Sequence, residues 1–481
     1  VDFFLRRSLA NPIFPMSLSL DALLNKPASY SIAIIGGGAS ATLLLHNLSK
    51  NLSYNQTCTD IYLIDEKAGL QFGQAYSIRE PIFLLNVPAI NMGADVDEPD
   101  GFYRWIERYP ERWRYLNPAF NELAIGPQDF APRMIYAEYL RDLLGNAKLQ
   151  LQRQNIAVHL LHARVIGIDT LEHSNLLQLR TNTHLQLIVN TAVLCTGNTL
   201  PNHADKPQAH ATSPYCENFL SKEWQQVKNV AVLGSGLCMV DAIQYLSAKG
   251  FKGQIHAFSR QGLIPQPHSP TPATKAPDFN ISEITSAHAA IKNLKREIKK
   301  NTLAGIGWQE TINSFRQQTN RLWLQLAPSE RKRLRRFMPW WNVTRHRISE
   351  TAYQQLTQLL ASGKLTLIKG IVQKAECDGE YLLAHMNSKI IVVQAEHLIL
   401  CSGYTCNYPQ LKLLCSALLD IPQLQRKLNC RHPNYQVSDT HQIYALGPAL
   451  TGVLFETTAI HEIRHQCAAI AAQLALPITQ R

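Results

Sequence analysis

Two glycine turns carry residues whose types and spacing could do chemistry. The first is Gly36-Gly37-Gly38-Ala39-Ser40-Ala41, a GxGxxA. Gly36 permits a tight turn, Gly38 lets a pyrophosphate approach the backbone, and Ala41 lets a helix pack close to a strand. A helix starting there presents unbonded N–H groups to the phosphates. Asp65, with Glu66 beside it, ends the next apolar run 29 residues after Gly36. A carboxylate there can accept hydrogen bonds from a ribose diol. The spacing is longer than usual, and "SKNLSYNQTCTD" reads as the extra loop. The second turn is Gly234-Ser235-Gly236-Leu237-Cys238-Met239, with Met239 at the third glycine position. The run after it ends in Ser259-Arg260 without an acid. A hydroxyl and a guanidinium suit a 2′-phosphate, so NADPH is expected there, with NADH as the alternative.

Each turn needs a strand before it and a helix after it, and the sequence supplies both. "SIAIIGGGASATLLLHNL" is an apolar run, a glycine turn and a helical pattern, and "NVAVLGSGLCMVDAIQYL" repeats that order. "DIYLIDEK" and "GQIHAFSR" follow as second strands. Each half later ends an apolar run in a small-residue turn, "LCTGN" with Thr196-Gly197 and "LCSGY" with Gly403. Gly36 and Gly197 stand 161 apart and Gly234 and Gly403 169 apart, which reads as two tandem dinucleotide-binding units. The expected fold is α/β, two Rossmann-like domains with β-meanders and a helical insertion at 272–360. That insertion opens on the proline-rich "LIPQPHSPTPATKAP", read as extended linker. Ile284, Ala287, Ile291, Leu294 and Ile298 then recur at helical spacing. The expected divisions are a disordered tail at 1–27, a first unit at 28–222, a second at 223–395 and a return to the first at 396–481.

The chain resembles the two-dinucleotide-binding-domain flavoproteins, and among them the bacterial FAD/NAD(P)-binding protein family. "IIGGGASA", "GQAYS", "LLNVPAINM", "FAPRMIYAEYL", "VLCTGN", "VLGSGLCMVDA", "WWNVTRHR" and "ALGPALTGVLFETTAIHEIR" carry the resemblance, from about Ser31 to Ala472. It implies FAD in the first unit, held by Gly36, Gly37, Gly38, Ala39, Ser40, Asp65 and Glu66. Tyr76, Thr196, Gly197 and Gly403 join the cofactor contacts, with Gly234, Ser235, Gly236, Leu237, Ser259 and Arg260 on the nicotinamide cofactor. "QIYALGPAL" is similar to a late FAD motif in which Gly-Asp reaches the ribityl chain. Here it is Gly447-Pro448, which leaves that contact to Gly447 or the next helix start. "LLNVPAINM" is similar to a loop of the related flavin-containing monooxygenases. The resemblance implies that the amide of Asn86 supports a flavin hydroperoxide while Pro88 fixes the loop; a turn-capping asparagine is the competing reading. The longer Baeyer–Villiger signature is absent. Chemistry of this kind rests on the flavin, so no acid–base triad is required.

Charge narrows the remaining choices. The net charge is +11, and between Lys275 and Arg347 there are fifteen Lys/Arg against five Asp/Glu. Arg345, His346 and Arg347, with Trp341, are read as a clamp for an acidic substrate or a cofactor phosphate, and Arg331 to Arg336 as a solvated helix face. No recognition motif for nucleic acid accompanies the charge. Thr457-Thr458 are read as a helix cap, and Glu462 and Arg464 as a surface pair. Ten cysteines without a CxxC argue against thiol reduction and a structural zinc site. No apolar run is long enough to span a membrane, the first residues lack a cleavage site, and Met16 reads as an alternative start. A cytoplasmic protein is expected. The expected activity is FAD- and NAD(P)H-dependent oxidoreduction, with a monooxygenase acting on a small polar or anionic metabolite first and oxygen as a possible acceptor. An NAD(P)H:acceptor reductase or oxidase, and an FAD-binding redox sensor that holds a partner, are the alternatives.

Overall fold

The apolar runs before the glycine turns are strands buried on both faces, as parallel sheets require. The computed structural model describes residues 30–52, 58–67, 72–198, 210–269, 276–277, 279–386, 389–404, 408–429 and 433–476. The expected tail at 1–27, Met16, part of the extra loop and part of the proline-rich linker lie outside these residues.

The first sheet has β1 (Tyr30–Ile35), β2 (Cys58–Asp65), β3 (Ala157–His162), β7 (Thr191–Leu194) and β16 (Gln442–Ala445), in the order β16-β7-β1-β2-β3. A meander of β4 (Val165–Thr170), β5 (Leu177–Thr181) and β6 (Gln186–Val189) lies between β3 and β7 in sequence. The second sheet has β8 (Ala211–Thr212), β9 (Asn229–Leu233), β10 (Gln254–Ser259), β11 (Leu365–Lys369) and β15 (His397–Leu400), in the order β11-β10-β9-β15-β8. Its meander is β12 (Val372–Cys377), β13 (Tyr381–Met386) and β14 (Lys389–Gln394). Both five-stranded sheets are parallel throughout. The chain thus builds one topology twice, as the repeated motifs predict.

The fifth strand of each sheet comes from outside its own run of chain. β16 returns from the C-terminal region to pair with β7. β8 pairs with β15, although the expected division put it in the first unit. β15 pairs in register with β9, so the second sheet extends past the expected boundary at 395. Backbone hydrogen bonding decides these memberships, and apolar patterning alone does not reveal it.

Five main helices pack on the sheets: α1 (Ala39–Asn51), α2 (Arg133–Arg153), α3 (Leu237–Ala248), α9 (Glu350–Ala361) and α10 (Ile460–Leu474). The insertion supplies α4 (Ala287–Leu303), α5 (Trp308–Arg316), α6 (Thr319–Gln325), α7 (Pro328–Leu334) and α8 (Met338–Arg345). Ser286 caps α4 by accepting from the Ala289 N–H at 3.1 Å. Along β1, Ile32 and Ile34 face one core with α1, α2 and α10. Ala33 and Ile35 face the other core, which contains Leu294, Phe315, Trp323 and Trp341. The insertion belongs to the second half by sequence and to the first by packing. Trp323 Nε1 donates to the Val453 carbonyl at 2.9 Å, and Trp341 Nε1 to Glu456 Oε1 at 2.7 Å. α9, placed inside the insertion by the sequence pattern, instead shares a core with the second sheet.

One buried ion pair joins the two units. Arg133 at the start of α2 donates from Nη2 to Asp241 Oδ2 of α3 at 2.7 Å, and from Nε to the Leu84 carbonyl at 2.8 Å. The Tyr215 hydroxyl donates to the same Asp241 oxygen at 2.6 Å. Burial works against the Arg133 charge, yet Asp241 beside it holds the guanidinium above the usual arginine range.

Candidate functional site

The two glycine turns share one geometric reason for their first glycine. Gly36 has φ +112°, and a Cβ there would lie 2.3 Å from the Cys195 carbonyl oxygen. Gly234 has φ +115°, and its Cβ would lie 2.1 Å from the Cys401 carbonyl oxygen. Each turn therefore passes against the "LC" end of its unit's crossing strand, next to Thr196-Gly197 in one half and Gly403 in the other. Gly197 and Gly403 both have positive φ, and a Cβ on either would meet nothing within 4 Å.

Gly38 and Gly236 are the N-caps of α1 and α3, and neither helix start has a side-chain cap. Leading N–H groups of a helix have no intrahelical acceptor and suit an anion. In α1 the Ala39 N–H donates to the Phe72 carbonyl at 3.2 Å, which leaves Ser40 and Ala41 leading the turn. Asp65 accepts from the Gly37 N–H at 2.6 Å and the Lys67 N–H at 2.8 Å, so it braces the turn at the strand end; Glu66 beside it is exposed. Tyr76 packs on Tyr136 at 4.9 Å, and burial pushes its hydroxyl up to about 12. The buried Tyr136 hydroxyl has no partner among the described residues. A cradle without side chains, an acid at the strand end and an unpaired buried hydroxyl fit a dinucleotide such as FAD. At Gly236 a Cβ would meet nothing within 4 Å, with Leu237 half-buried beside it, which fits a second dinucleotide.

Ser259 and Arg260 part company. The Ser235 hydroxyl donates to Ser259 Oγ at 2.7 Å, and Ser259 Oγ also accepts from the Gly262 N–H at 3.2 Å. Arg260 is exposed. Gly447 (φ +61°) sits against Ser40, and its N–H donates to Gln466 Oε1 at 2.6 Å.

A cavity of about 670 Å³ lies where the first unit, the second unit's linker and the insertion meet. Val87, Pro88, Asn91 and Met92 line it from the "NVPAINM" loop, and His268 and Ser269 from the linker. Gln309, Arg316, Arg345 and Arg347 line it from the insertion and its exit, and Ile460, His461 and Arg464 from α10. Asn86 is next to this wall and not part of it. Its carbonyl accepts from His268 Nε2 at 3.1 Å, while the nearby 3-10 turn is capped at Pro88 without a side chain. Burial, followed by the Arg347 charge, holds His268 down to about 4, so it is a neutral donor.

The basic cluster is divided by the backbone. Arg345 and Arg347 line the large cavity, whereas His346 lines a second one of about 480 Å³ with Phe455, Glu456 and Thr458. The expected three-residue clamp is thus a two-arginine wall, because neighbouring side chains leave the chain in different directions. Burial lowers all three groups, His346 to about 3.

Three smaller expectations are corrected. Glu462 and Arg464 are not a surface pair. Glu462 is bound by Arg316 at 2.7 and 2.5 Å, and Arg464 reaches the Gly93 and Asn91 carbonyls at 3.3 and 3.4 Å. Burial opposes the Glu462 charge, but Arg316 and then Arg345 hold its carboxyl down to about 2. Thr457 does not cap α10, whose N-cap is Ala459; its hydroxyl donates to the Gly447 carbonyl at 2.7 Å. Arg331 leaves the solvated face of α7 and is buried, donating to the Trp323 and Leu324 carbonyls at 2.8 Å each.

Sequence reasoning missed Arg316, His268 and Gln309, because the sequence brackets them with ordinary helix and linker residues. Among the described residues there is no group of three His, Cys, Asp or Glu able to hold a metal. No described helix is long and apolar enough to cross a membrane.

With the two cradles and the shared cavity in place, comparison with known proteins agrees on the class. Residues 33–199 match a protein-family profile described as FAD-NAD(P)-binding. The whole fold is that of two-dinucleotide-binding-domain flavoproteins. It is similar to the ornithine N-hydroxylase of Kutzneria sp. 744, at 13% identity over 93% of this chain and 99% of that one, with a TM-score of 0.59. It is similar to the ornithine hydroxylase of Pseudomonas aeruginosa, at 15% identity over 93% and 98%, with a TM-score of 0.58. It is also similar to the bacillithiol disulfide reductase of Staphylococcus aureus, at 11% identity over 93% and 98%, with a TM-score of 0.51. No curated protein matches the sequence.

Proposed function

We propose that the chain is an FAD- and NAD(P)H-dependent oxidoreductase of monooxygenase type, acting on a small polar or anionic metabolite in the 670 Å³ cavity. The carrying observation is that this cavity is walled by the first unit, the second unit's linker and the insertion at once. Such a site can close around a substrate and exclude water. The likeness to two amine-hydroxylating flavoproteins supports the reading. Bound FAD would accept hydride from the nicotinamide and pass electrons to oxygen or another acceptor. Gly36 to Ser40, with Asp65, would hold FAD. Gly234 to Leu237 would hold the nicotinamide cofactor. Arg260 would supply the 2′-phosphate charge contact, with Ser259 held in the turn by Ser235 and the Gly262 N–H. Pro88 and the Asn86–His268 bond would fix the loop at the cavity wall. A reductase or oxidase is the second reading. It is favoured by the position of Asn86, whose side chain is not part of the cavity wall. A thiol reductase with a CxxC is set aside, because the sequence has none.

The test is rapid mixing of purified flavoprotein, reduced anaerobically by NADPH, with oxygenated buffer. A flavin spectrum that is neither oxidised nor reduced, lasts for seconds and shortens at least tenfold in Asn86→Ala supports the monooxygenase. Immediate reoxidation in the presence and absence of candidate substrates supports the reductase or oxidase. Flavin that neither NADPH nor NADH reduces refutes both.

A further inference from the structure

The cavity wall carries more buried positive charge than the fold itself uses. Arg316 is matched by Glu462, and Arg345 Nε lies 3.4 Å from Glu456 Oε2 without hydrogen-bonding geometry. Among the described residues neither Arg347 nor Arg464 forms an ion pair with a carboxylate, although Glu310 and Glu462 lie near enough for their charges to favour the two guanidinium groups. Arg347 donates from Nη2 to Asn313 Oδ1, a neutral amide, at 2.5 Å. Arg464 uses backbone carbonyls and His461. Both side chains line the cavity, and the two residues are 4% and 5% exposed. Four of the arginine nitrogens there are buried without a hydrogen bond among the described residues: Arg345 Nε and Nη2, Arg347 Nε and Arg464 Nε. Water can satisfy an N–H, but it does not neutralise a charge, and buried charges are normally paired.

Three acids also face the cavity. Asp129 and Glu350 are exposed, Glu310 is half-buried, and none of the three forms an ion pair with Arg347 or Arg464. They would repel a second negative charge on a ligand whose first was bound at the arginines.

We propose that the cavity takes the carboxylate of a small monoanionic organic acid, with Arg347 as its direct partner, Arg345 beside it and Arg464 adding positive potential. Arg345 has Nε and Nη2, one edge of its guanidinium, without a hydrogen bond among the described residues, and Arg347 has its Nε, and guanidinium N–H groups make charge-assisted bonds to a carboxylate. The inference rests on the reading of this cavity as the substrate site.

The test is calorimetric titration of the oxidised FAD-loaded protein, without NADPH or oxygen, using pentanoate, pentanamide and inorganic phosphate as probes. Pentanoate is expected to bind at least tenfold more tightly than either of the others. Arg347→Gln should weaken pentanoate at least tenfold and leave pentanamide unchanged. The same variant should keep its flavin and melt no lower than the parent without ligand, because it removes an uncompensated buried charge. Arg464→Gln should weaken pentanoate by a smaller factor. Equal binding of pentanamide or phosphate, undiminished pentanoate binding in Arg347→Gln, or a lower melting temperature for that variant would each overturn the assignment. Pentanoate binding in a protein that never oxygenates a substrate would retire the monooxygenase reading alone. NADPH-driven flavin reduction without pentanoate binding would retire the carboxylate site alone.

Discussion

Replacing Asp241 with asparagine would separate the two dinucleotide-binding units energetically. The pair it breaks is deep, with side-chain exposures of 10% for Arg133 and 3% for Asp241. Removing one member of such a pair leaves a buried charge and costs about 3–5 kcal/mol. The lower end applies here, because asparagine still offers the Tyr215 hydroxyl an acceptor and Arg133 keeps the Leu84 carbonyl. A loss of about 3 kcal/mol lowers the melting temperature by roughly 6–12 °C for a cooperative block of 150–250 residues. The assay is thermal unfolding of the FAD-loaded protein, for Asp241→Asn and for a double-mutant cycle of Arg133→Met, Asp241→Leu and the two together. Arg133→Met with Asp241→Leu should recover most of the loss, since a buried ion pair is replaceable by apolar packing. A cost below about 1 kcal/mol for Asp241→Asn, or additive single and double variants, would refute the coupling. The consequence for activity would appear at Leu84, two residues before Asn86. A variant that remains folded should reduce its flavin with NADPH more slowly.

The glycine turns should fail separately. Gly36→Ala puts a Cβ 2.3 Å from the Cys195 oxygen, so the purified protein should lose most of its flavin absorbance. Gly234→Ala, at 2.1 Å from the Cys401 oxygen, should keep flavin but lose reduction by NADPH. Acid should unfold the protein partly through His268. Its folded value of about 4 lies below the ordinary histidine value, so its stabilisation is complete above about pH 6.5 and declines as pH falls towards 4. His268→Gln should flatten the stability curve across that window by up to about 3 kcal/mol, as read from denaturation midpoints at pH 7 and pH 4.5.

The doubled α/β plan was legible because each half announces itself with a strand, a glycine turn and a helix at matching offsets. The same local signals located both cradles. What the sequence did not disclose depends on side chains that meet across long separations. Arg316 and Glu462 look like unrelated surface residues until α5 and α10 are placed together. The direction of His346, opposite to its two arginine neighbours, follows from how the end of α8 turns and not from residue type. Membership of β8 and β15 rests on backbone pairing that no periodicity encodes.

The late return of β16 imposes an order on assembly. Thr191 and Gln442, which hydrogen-bond across β7 and β16, are 251 residues apart. Until the C-terminal quarter of the chain has been made, β7 is an open edge, and Trp341 lacks the Glu456 acceptor that receives its N–H. The second sheet, by contrast, has all its strands once residue 400 has been synthesised. On the ribosome, the half that starts first therefore finishes last. A chain stopped early would strand its first unit with an exposed edge while leaving its second intact, so a truncated product would aggregate through the first unit.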